Sequence, residues 1–198
     1  VRRRLGVDRA GAKTVPIEVP PVTVALGLGA NLGDRLAALQ RGIDVLCADP
    51  AVHAIAVSSV YETDPVGGPE QPDYLNAVLL VSTTLVPIEV LALAGIAEQE
   101  LERVRDVRWG ARTLDVDVLT YGEVVSDDPV LTLPHPRAAQ RAFVLVPLSD
   151  VEPDLRLPGG TETVSDLLAK CPPEDVVGVR PRRDLELVVP QPIPGSPD

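Results

Sequence analysis

Apolar side chains along the chain follow two different spacings, and their order predicts the fold. Continuous apolar runs at 22–28 and 74–83 predict two buried strands. Four residues between them recur at helical spacing, and these are Leu36, Leu39, Ile43 and Leu46. We expect a helix that begins after Asp34, which can act as its N-cap, and ends near residue 48.

The second half of the chain repeats this pattern. Pro87 is predicted to open a helix that runs to about residue 103, because proline is favoured in the first turn of a helix. A strand is predicted over 114–121, followed by a hairpin turn at Gly122 that leads into Val124 and Val125. Shorter elements are expected after it: an extended segment at 131–137, a short helix or turn that opens 140–149, and a short helix at 164–168.

With a loosely alternating strand at 52–61, the element order is strand, helix, strand, strand, helix, strand. This order is typical of the split β-α-β motif of the ferredoxin-like plait. We therefore expect an α+β fold, with a central, mostly antiparallel sheet and helices packed on it. The domain is predicted to span residues 21–172. A flexible N-terminal tail (1–20) and a proline-rich C-terminal tail (173–198), which packs partly on the domain, flank it.

Two acidic residues, Asp115 and Asp117, lie on one face of the strand predicted at 114–121. Their positions are roughly 6.5–7 Å apart along the strand. Two carboxylates about 6 Å apart repel by about 3 kcal/mol at an effective dielectric constant of 20. They therefore require solvent, arginine partners or a divalent metal. Val116 and Val118 point to the opposite side, toward a core.

Four arginines precede this strand, at 103, 105, 108 and 112. The chain has only two lysines, Lys13 and Lys170, so a phosphate near its centre must be held by arginine or by the backbone. The planar guanidinium group suits phosphate because it binds two oxygens at once. Arginines beside paired aspartates suggest a polyphosphate with Mg²⁺. The alternative is an arginine–aspartate network that holds the edge of a strand.

The first strand leads into a glycine-rich turn with glycines at 27, 29 and 33. The glycine spacing is one residue longer than in the dinucleotide-binding fingerprint, and no acidic residue follows at the expected place. We interpret the segment as a strand-to-helix turn. The chain also lacks a Walker A sequence, which excludes a P-loop enzyme. Two loops are expected to be functional instead, at 62–73 and 103–109.

The net charge of −11 argues against a general role in binding nucleic acid or membrane surfaces. No apolar run approaches the length of a membrane span. Cys47 and Cys171 lie far apart in apolar surroundings, which predicts buried free thiols rather than a disulfide or a metal site. We expect a soluble, cytoplasmic and monomeric protein.

Several residues admit both a structural and a functional interpretation. Tyr74, Trp109 and Phe143 lie in polar or turn-rich contexts, where they either cover the edge of the core or stack on a flat ligand. His135 lies between two prolines and is either a structural histidine or a phosphate contact. Glu98 lies near the end of the second helix, either on a solvated face or against a ligand.

Four segments together resemble the 6-hydroxymethyl-7,8-dihydropterin pyrophosphokinase family. The most specific is Arg-Trp-Gly-Ala-Arg-Thr-Leu-Asp-Val-Asp-Val-Leu (108–119). The others are Asp-Pro-Val-Gly-Gly (64–68), Gln-Pro-Asp-Tyr-Leu-Asn (71–76) and Leu-Thr-Leu-Pro-His-Pro (131–136). The match covers about residues 22–158 in order and leaves both tails outside. It departs from the family at Ala111, where proline is usual, and at 105–108, which is one residue shorter than in some relatives.

The resemblance implies that residues 21–172 form a pyrophosphokinase catalytic domain. It would transfer the terminal diphosphate of ATP to the hydroxymethyl group of 6-hydroxymethyl-7,8-dihydropterin and release AMP, a step of folate biosynthesis. The resemblance also implies two Mg²⁺ ions, held by Asp115 and Asp117, with ATP as co-substrate. The expected partners are these two small molecules, without nucleic acid or membrane.

The family's functional residues can be placed on this sequence. Those expected to contact the pterin are Thr63, Val66, Tyr74, Asn76, Phe143 and Trp109. Those expected to contact ATP are Glu98, Arg105, Arg108, Arg112, His135 and Arg141. Those expected to act in catalysis are Arg112, Arg103, Asp115 and Asp117. Arg103 and Trp109 belong to a loop expected to close over both substrates, and whether Arg103 or Arg105 contacts phosphate stays open.

Two other functions are compatible with the residues. A non-catalytic binding module of the same fold would expose the acidic strand and bind a small effector with its aromatic loops. A related enzyme could bind ATP and act on another acceptor, although the set of Tyr74, Asn76 and Phe143 favours a pterin.

Overall fold

The computed structural model describes residues 20–65, 70–101 and 113–190. The described strands are β1 (Val22–Ala30), β2 (Val52–Val57), β3 (Tyr61–Thr63), β4 (Tyr74–Thr83), β5 (Asp115–Tyr121), β6 (Ser126–Asp127), β7 (Thr132–Leu133) and β8 (Arg180–Pro181). The described α-helices are α1 (Arg35–Leu46), α2 (Pro87–Glu100), α3 (Ala142–Val151), α4 (Val164–Lys170) and α5 (Pro173–Val177). A short 3₁₀ helix, Ala138–Gln140, precedes α3.

One antiparallel sheet organises these elements, with strand order β5-β1-β4-β3-β8. β2 also pairs with β4, alongside the part of β4 that β3 leaves uncovered. Taken together, β2 and β3 fill the place of the second strand of a β-α-β-β-α-β plait. The sheet and its helices therefore confirm the predicted ferredoxin-like α+β fold.

The first half of the chain follows the predicted elements closely. The Asp34 carboxylate accepts a hydrogen bond from the Ala37 N–H (3.1 Å) and caps α1 as expected. β4 has the predicted bounds, and α2 begins at Pro87 as predicted. α2 ends at Glu100 with Leu101 as its C-cap, and residues 102–103 of its predicted extension lie outside the described residues.

The hairpin predicted after β5 is wrong. Gly122 does form a turn, with a φ of 47° that favours glycine. Its N–H, however, donates to the carbonyl of Thr23 on β1 (2.8 Å), and the chain then leaves the sheet. The short strand that follows, β6, pairs with β7 rather than with β5. Val125 is consequently 59% exposed instead of lying in a strand of the main sheet.

The sheet has a core on each face. On the first face, alternate residues of β1, β4 and β5 pack against α1 and α2, and these include Leu26, Leu79, Val116 and Val118. On the second face, α3 and α4 cover a region around Ala25, Leu80 and Leu119. The rest of the second face carries polar side chains and glycines. This division leaves a polar surface on the part of the second face that α3 and α4 do not cover.

Residues 173–190 contact the sheet along much of their length. β8 pairs with β3, and the N–H of Arg182 donates to the Val60 carbonyl (2.8 Å). Leu185, Leu187 and Val189 pack on the first core. Both cysteines are free thiols, but each has intermediate exposure rather than the predicted burial. Over the described ranges, no helix has the length and apolar character needed to cross a membrane.

Candidate active site

Two glycines form the centre of the polar region on the second face. On β1, Gly27 lies opposite Asp117 of β5 and Gly29 lies opposite Asp115. On the other side, Gly29 lies opposite Asn76 of β4. Directly opposed residues of an antiparallel pair share a face, so acids and amide lie on either side of a strip without side chains. Glycine inside a strand commonly marks such a site of close approach.

The sequence contained a signal for this strip that we interpreted only as a turn. Gly27 and Gly29 are two residues apart within β1, which puts both on one face. A methyl group on Gly29 would lie 3.5 Å from Oδ1 of Asn76 and 3.9 Å from the Tyr74 ring. The protein itself therefore leaves room for a small side chain there, and the glycine keeps that space clear.

One end of the strip carries the two predicted metal ligands. Asp115 and Asp117 lie on the same face of β5 with intermediate exposure, whereas Val116 and Val118 are buried on the other face. The predicted arrangement of this strand is therefore confirmed.

Glu98 supports this strand from its side. The carboxylate accepts a hydrogen bond from the N–H of Val116 (3.0 Å), the residue between the two aspartates. Glu98 is only 8% exposed, so it does not lie on a solvated helix face. The structure thus brings it to β5, where it stabilises a backbone donor at the outer edge of the sheet. Its predicted contact with ATP stays a prediction.

His135 lies beside Asp117, with 4.0 Å between Nε2 and Oδ2 of the carboxylate. Its backbone N–H donates to the Leu119 carbonyl (2.8 Å), which ties the segment to β5. Nδ1 accepts a hydrogen bond from the Arg137 N–H (3.2 Å), so the neutral ring carries its proton on Nε2. Burial lowers the pKa of His135, and the nearby Arg141 adds to this effect while Asp117 opposes it. The ring therefore offers a neutral donor toward the acidic end.

Arg141 and Phe143 lie against each other at the start of α3. The Arg141 guanidinium carbon lies 5.3 Å from the centroid of the Phe143 ring, within cation–π distance. Both residues are half-buried at the start of α3. The N-terminus of α3 thus brings one predicted phosphate contact and one predicted ring contact together.

The other end of the strip is neutral and more deeply buried. Asn76 and Thr63 are each 7% exposed, and the Asn76 amide N–H donates to Thr63 Oγ1 (2.8 Å). Within the described part of the chain this is the one side-chain hydrogen bond of Asn76, so its amide still presents one donor and one acceptor. Tyr74 lies directly opposite Thr63 and contacts Gln71 through its hydroxyl (3.2 Å). Thr63, Tyr74 and Asn76 therefore lie together on this face, and their contact with a pterin stays a prediction.

Sequence reasoning missed the residues that hold this end together. Asn31 is 1% exposed, and its amide donates to Gln71 and to the Pro72 carbonyl (both 3.1 Å). Arg35 donates to the Asp73 carbonyl (2.8 Å) and pairs with Glu62 (2.9 Å). Nothing in the local pattern indicates these contacts, because the partners are 27–41 positions apart.

The remaining predicted site residues lie outside the described residues. These are Val66, Arg103, Arg105, Arg108, Trp109 and Arg112. Their roles stay predictions of the sequence, as does the expected closure of the loop at 103–109.

Comparisons with known proteins point to one family. A family model described as 7,8-dihydro-6-hydroxymethylpterin-pyrophosphokinase (HPPK) matches residues 25–153. The chain is 43% identical over 153 residues to the 2-amino-4-hydroxy-6-hydroxymethyldihydropteridine pyrophosphokinase of Pseudomonas aeruginosa, covering 77% of this chain and 94% of that protein. The protein of the same name from Mycobacterium leprae is 45% identical over 170 residues, covering 79% and 87%.

Solved structures show the same fold. Wild-type Plasmodium falciparum HPPK-DHPS with pterin and p-hydroxybenzoate superposes with a TM-score of 0.59 at 16% identity, over 78% of this chain and 44% of that one. An HPPK-DHPS in complex with substrates gives a TM-score of 0.60 at 12% identity, over 76% and 43%. The chain thus spans less than half the length of those proteins, and at this identity the likeness concerns the fold alone.

Proposed function

The chain belongs to the 7,8-dihydro-6-hydroxymethylpterin pyrophosphokinase family, and we propose that the polar half of the second sheet face is where its residues carry out the family's reaction. The enzyme is an ATP-dependent diphosphotransferase of folate synthesis. It acts on ATP and 6-hydroxymethyl-7,8-dihydropterin. One observation supports this placement. A neutral end, formed around Asn76, and a carboxylate end, formed by Asp115 and Asp117, lie on either side of the same two glycines.

The neutral end fits the pterin ring. A pterin is flat and presents alternating donors and acceptors along one edge, which the amide of Asn76 can match. Thr63 fixes the orientation of that amide through its hydroxyl. Tyr74 and Phe143 supply aromatic faces for stacking, and Val66 and Trp109 are assigned to the ring from the sequence. Because this end is buried, each hydrogen bond to the ring gains strength from the low local dielectric.

The carboxylate end fits magnesium with ATP. Its described ligands, Asp115 and Asp117, are hard oxygen donors without a nearby thiol, which suits Mg²⁺ better than a soft metal. No group of three metal-binding side chains occurs in the described residues, so phosphate oxygens and water would complete the shell. We propose two such ions. When bound, they would neutralise charge on the triphosphate.

The cationic and neutral donors beside the aspartates are assigned to the nucleotide. Arg141 and His135 lie next to the carboxylate end and can donate to phosphate oxygens. Arg105, Arg108 and Arg112 complete this set from the sequence, with Arg103 and Arg112 as the arginines that stabilise the transferring group. Glu98 is proposed to contact ATP while it holds the backbone of β5.

The reaction needs positioning rather than a strong base. The pterin hydroxyl oxygen bonds to the β phosphorus of ATP, and the bond from that phosphorus to the oxygen bridging the α phosphorus breaks. The electron pair leaves with AMP, the γ phosphate travels with the β phosphate, and the hydroxyl proton passes to water. Holding ring and triphosphate on one rigid sheet aligns the two reacting atoms.

Three broader proposals accompany this function. We propose a cytoplasmic location, which the two free thiols support because structural disulfides mark oxidising compartments. We propose a monomer. We also propose that the catalytic domain begins near residue 21 and that residues 173–190 serve it as an additional layer, since β8 joins its sheet.

A product assay tests the proposed function. Purified protein with ATP, Mg²⁺ and 6-hydroxymethyl-7,8-dihydropterin should release AMP and the pterin diphosphate in equal amounts. Omission of the pterin should abolish AMP release, and chelation of Mg²⁺ should do the same. Formation of ADP, or AMP release that does not depend on the pterin, would contradict the proposal.

A further inference from the structure

Arg180 of β8 forms ion pairs with two carboxylates beside the neutral end of the site, the proposed pterin end. One guanidinium nitrogen lies 2.9 Å from Oδ1 of Asp64, and the other lies 3.0 Å from Oδ2 of Asp73. Arg180 reaches them because it lies directly opposite Glu62 in the pairing of β3 with β8. One side chain therefore joins two positions that are nine residues apart.

These two carboxylates flank the residues assigned to the ring. Asp64 follows Thr63 at the end of β3, and Asp73 precedes Tyr74 at the start of β4. Thr63 and Tyr74 lie directly opposite each other in the sheet. The separation of Asp64 and Asp73 is thus coupled to the separation of two proposed ring contacts.

A second arginine of the same segment strengthens the attachment. Arg182 pairs with Glu62 (3.1 Å), which also pairs with Arg35 of α1 (2.9 Å). Arg182 is itself held by Asp184 (2.8 Å). Without these cations, the acidic residues around the end of β3 would repel one another. The segment that carries Arg180 is therefore fixed to the sheet independently of Arg180 itself.

We propose that Arg180 is a positioning residue for the pterin, which acts by holding the two ends of the β3–β4 connection at the separation that the ring requires. The proposal rests on the proposed function of the pterin end. It adds a residue that lies beyond the part of the chain matched by the family model, residues 25–153. Arg180 touches no reacting group, so its effect should appear in binding of the pterin and not in the chemical step.

Steady-state kinetics of Arg180→Gln test whether the substitution weakens binding of the pterin and leaves the chemical step unchanged. The KM for the pterin should rise about three- to fivefold, the size expected when two exposed ion pairs are lost. The kcat and the KM for ATP should stay within experimental error of the wild type. Arg183→Gln is the matched control, because it removes the same charge from an exposed neighbouring position and should change none of the three. Arg180→Lys keeps the positive charge but lacks the planar guanidinium group that pairs with both carboxylates. It takes the place of Arg180→Gln in these measurements if that variant fails to fold.

A double-mutant cycle tests whether Arg180 acts through Asp64 and Asp73. In a background with both Asp64→Asn and Asp73→Asn, the substitution Arg180→Gln should no longer change the KM for the pterin. An unchanged KM in the single variant, an equal rise in both KM values, or the same rise in the carboxylate-free background would each overturn the proposal. Failure of the proposed function is a separate result, since the wild type would then form no pterin-dependent AMP.

Discussion

The two ends of the site are built in opposite ways. At the neutral end, the proposed pterin end, Asn76 and Thr63 are buried, neutral and already hydrogen-bonded to each other. At the carboxylate end, the proposed phosphate end, Asp117 keeps 42% of its side chain exposed and lies beside charged groups. A neutral ring is best recognised by donors and acceptors fixed in a dry site, because an unmatched ligand then leaves buried polar groups unpaired. A triphosphate instead needs charges that it and its metal can neutralise.

The difference also explains why β1 carries glycines between the two ends. Side chains on Gly27 or Gly29 would separate the ring from the phosphates that must react with it. In the proposed placement, the strip of bare backbone would let the substrates lie against the sheet at a fixed spacing. Substitutions at the two ends of the site, at the glycines of the strip and at Glu98, which supports β5, should therefore have separable effects on activity and stability.

The largest effect is expected at the phosphate end. Asp115→Asn and Asp117→Asn should each lower kcat by about a thousandfold or more, because the charge that the site needs for Mg²⁺ is halved. The thermal unfolding midpoint should change little, since removing one of two like charges also relieves repulsion. Asp127→Asn, an exposed carboxylate on β6, is the control and should retain full activity. Activity near the wild-type level in either site variant would remove the metal assignment.

A smaller effect that is confined to one substrate is expected at the pterin end. Asn76→Leu keeps the volume of the side chain but removes its donor and acceptor, so kcat/KM for the pterin should fall about a hundredfold. The KM for ATP, measured at saturating pterin, should stay within about twofold, because uniform loss of one ligand's contacts leaves the other site intact. An equal loss for both substrates would show that the two ends do not act separately.

On the glycine strip, Gly29→Ala should lower kcat/KM for the pterin by about tenfold, as expected when a methyl group occupies space that a ligand needs. Stability should be nearly unchanged, because the new methyl group meets only ordinary contacts with Asn76 and Tyr74. Gly95→Ala on α2 has open space around its added methyl group and serves as the control. If Gly29→Ala is as active as Gly95→Ala, the strip is not a ligand surface.

The smallest effect on activity is expected at Glu98, whose carboxylate supports the backbone of β5. Glu98→Ala leaves the Val116 N–H without its acceptor and should lower the free energy of unfolding by about 1–3 kcal/mol in urea denaturation. Glu98→Gln keeps an acceptor oxygen and should recover most of that loss. Because Glu98 is also proposed to contact ATP, the KM for ATP should rise in Glu98→Gln despite recovered stability. An unchanged KM for ATP would limit Glu98 to its structural contact.

The sequence predicted those features that depend on near neighbours. The cap at Asp34, the bounds of β4 and the shared face of Asp115 and Asp117 each follow from local spacing, and the structure confirms them. The gap between β2 and β3 was not predicted, because loose alternation over 52–61 does not reveal where a strand breaks.

Features that depend on distant partners had no local signal. Arg180 and Asp64 are 116 positions apart, and Arg182 and Glu62 are 120 apart, so no periodicity connects them. The hairpin predicted at Gly122 failed for a similar reason, since a hydrogen bond to Thr23 redirects the chain. Glu98 also looked like a surface residue until its partner on β5 was visible.

The most direct test of the contrast between the two ends is a calorimetric titration with a non-hydrolysable ATP analogue. The wild type should bind the analogue tightly with Mg²⁺ and weakly without it. The double variant Asp115→Asn/Asp117→Asn should bind weakly in both conditions, whereas Asn76→Leu should keep the full dependence on Mg²⁺. Equal dependence on Mg²⁺ in the wild type and the double variant would contradict the assignment of the phosphate end.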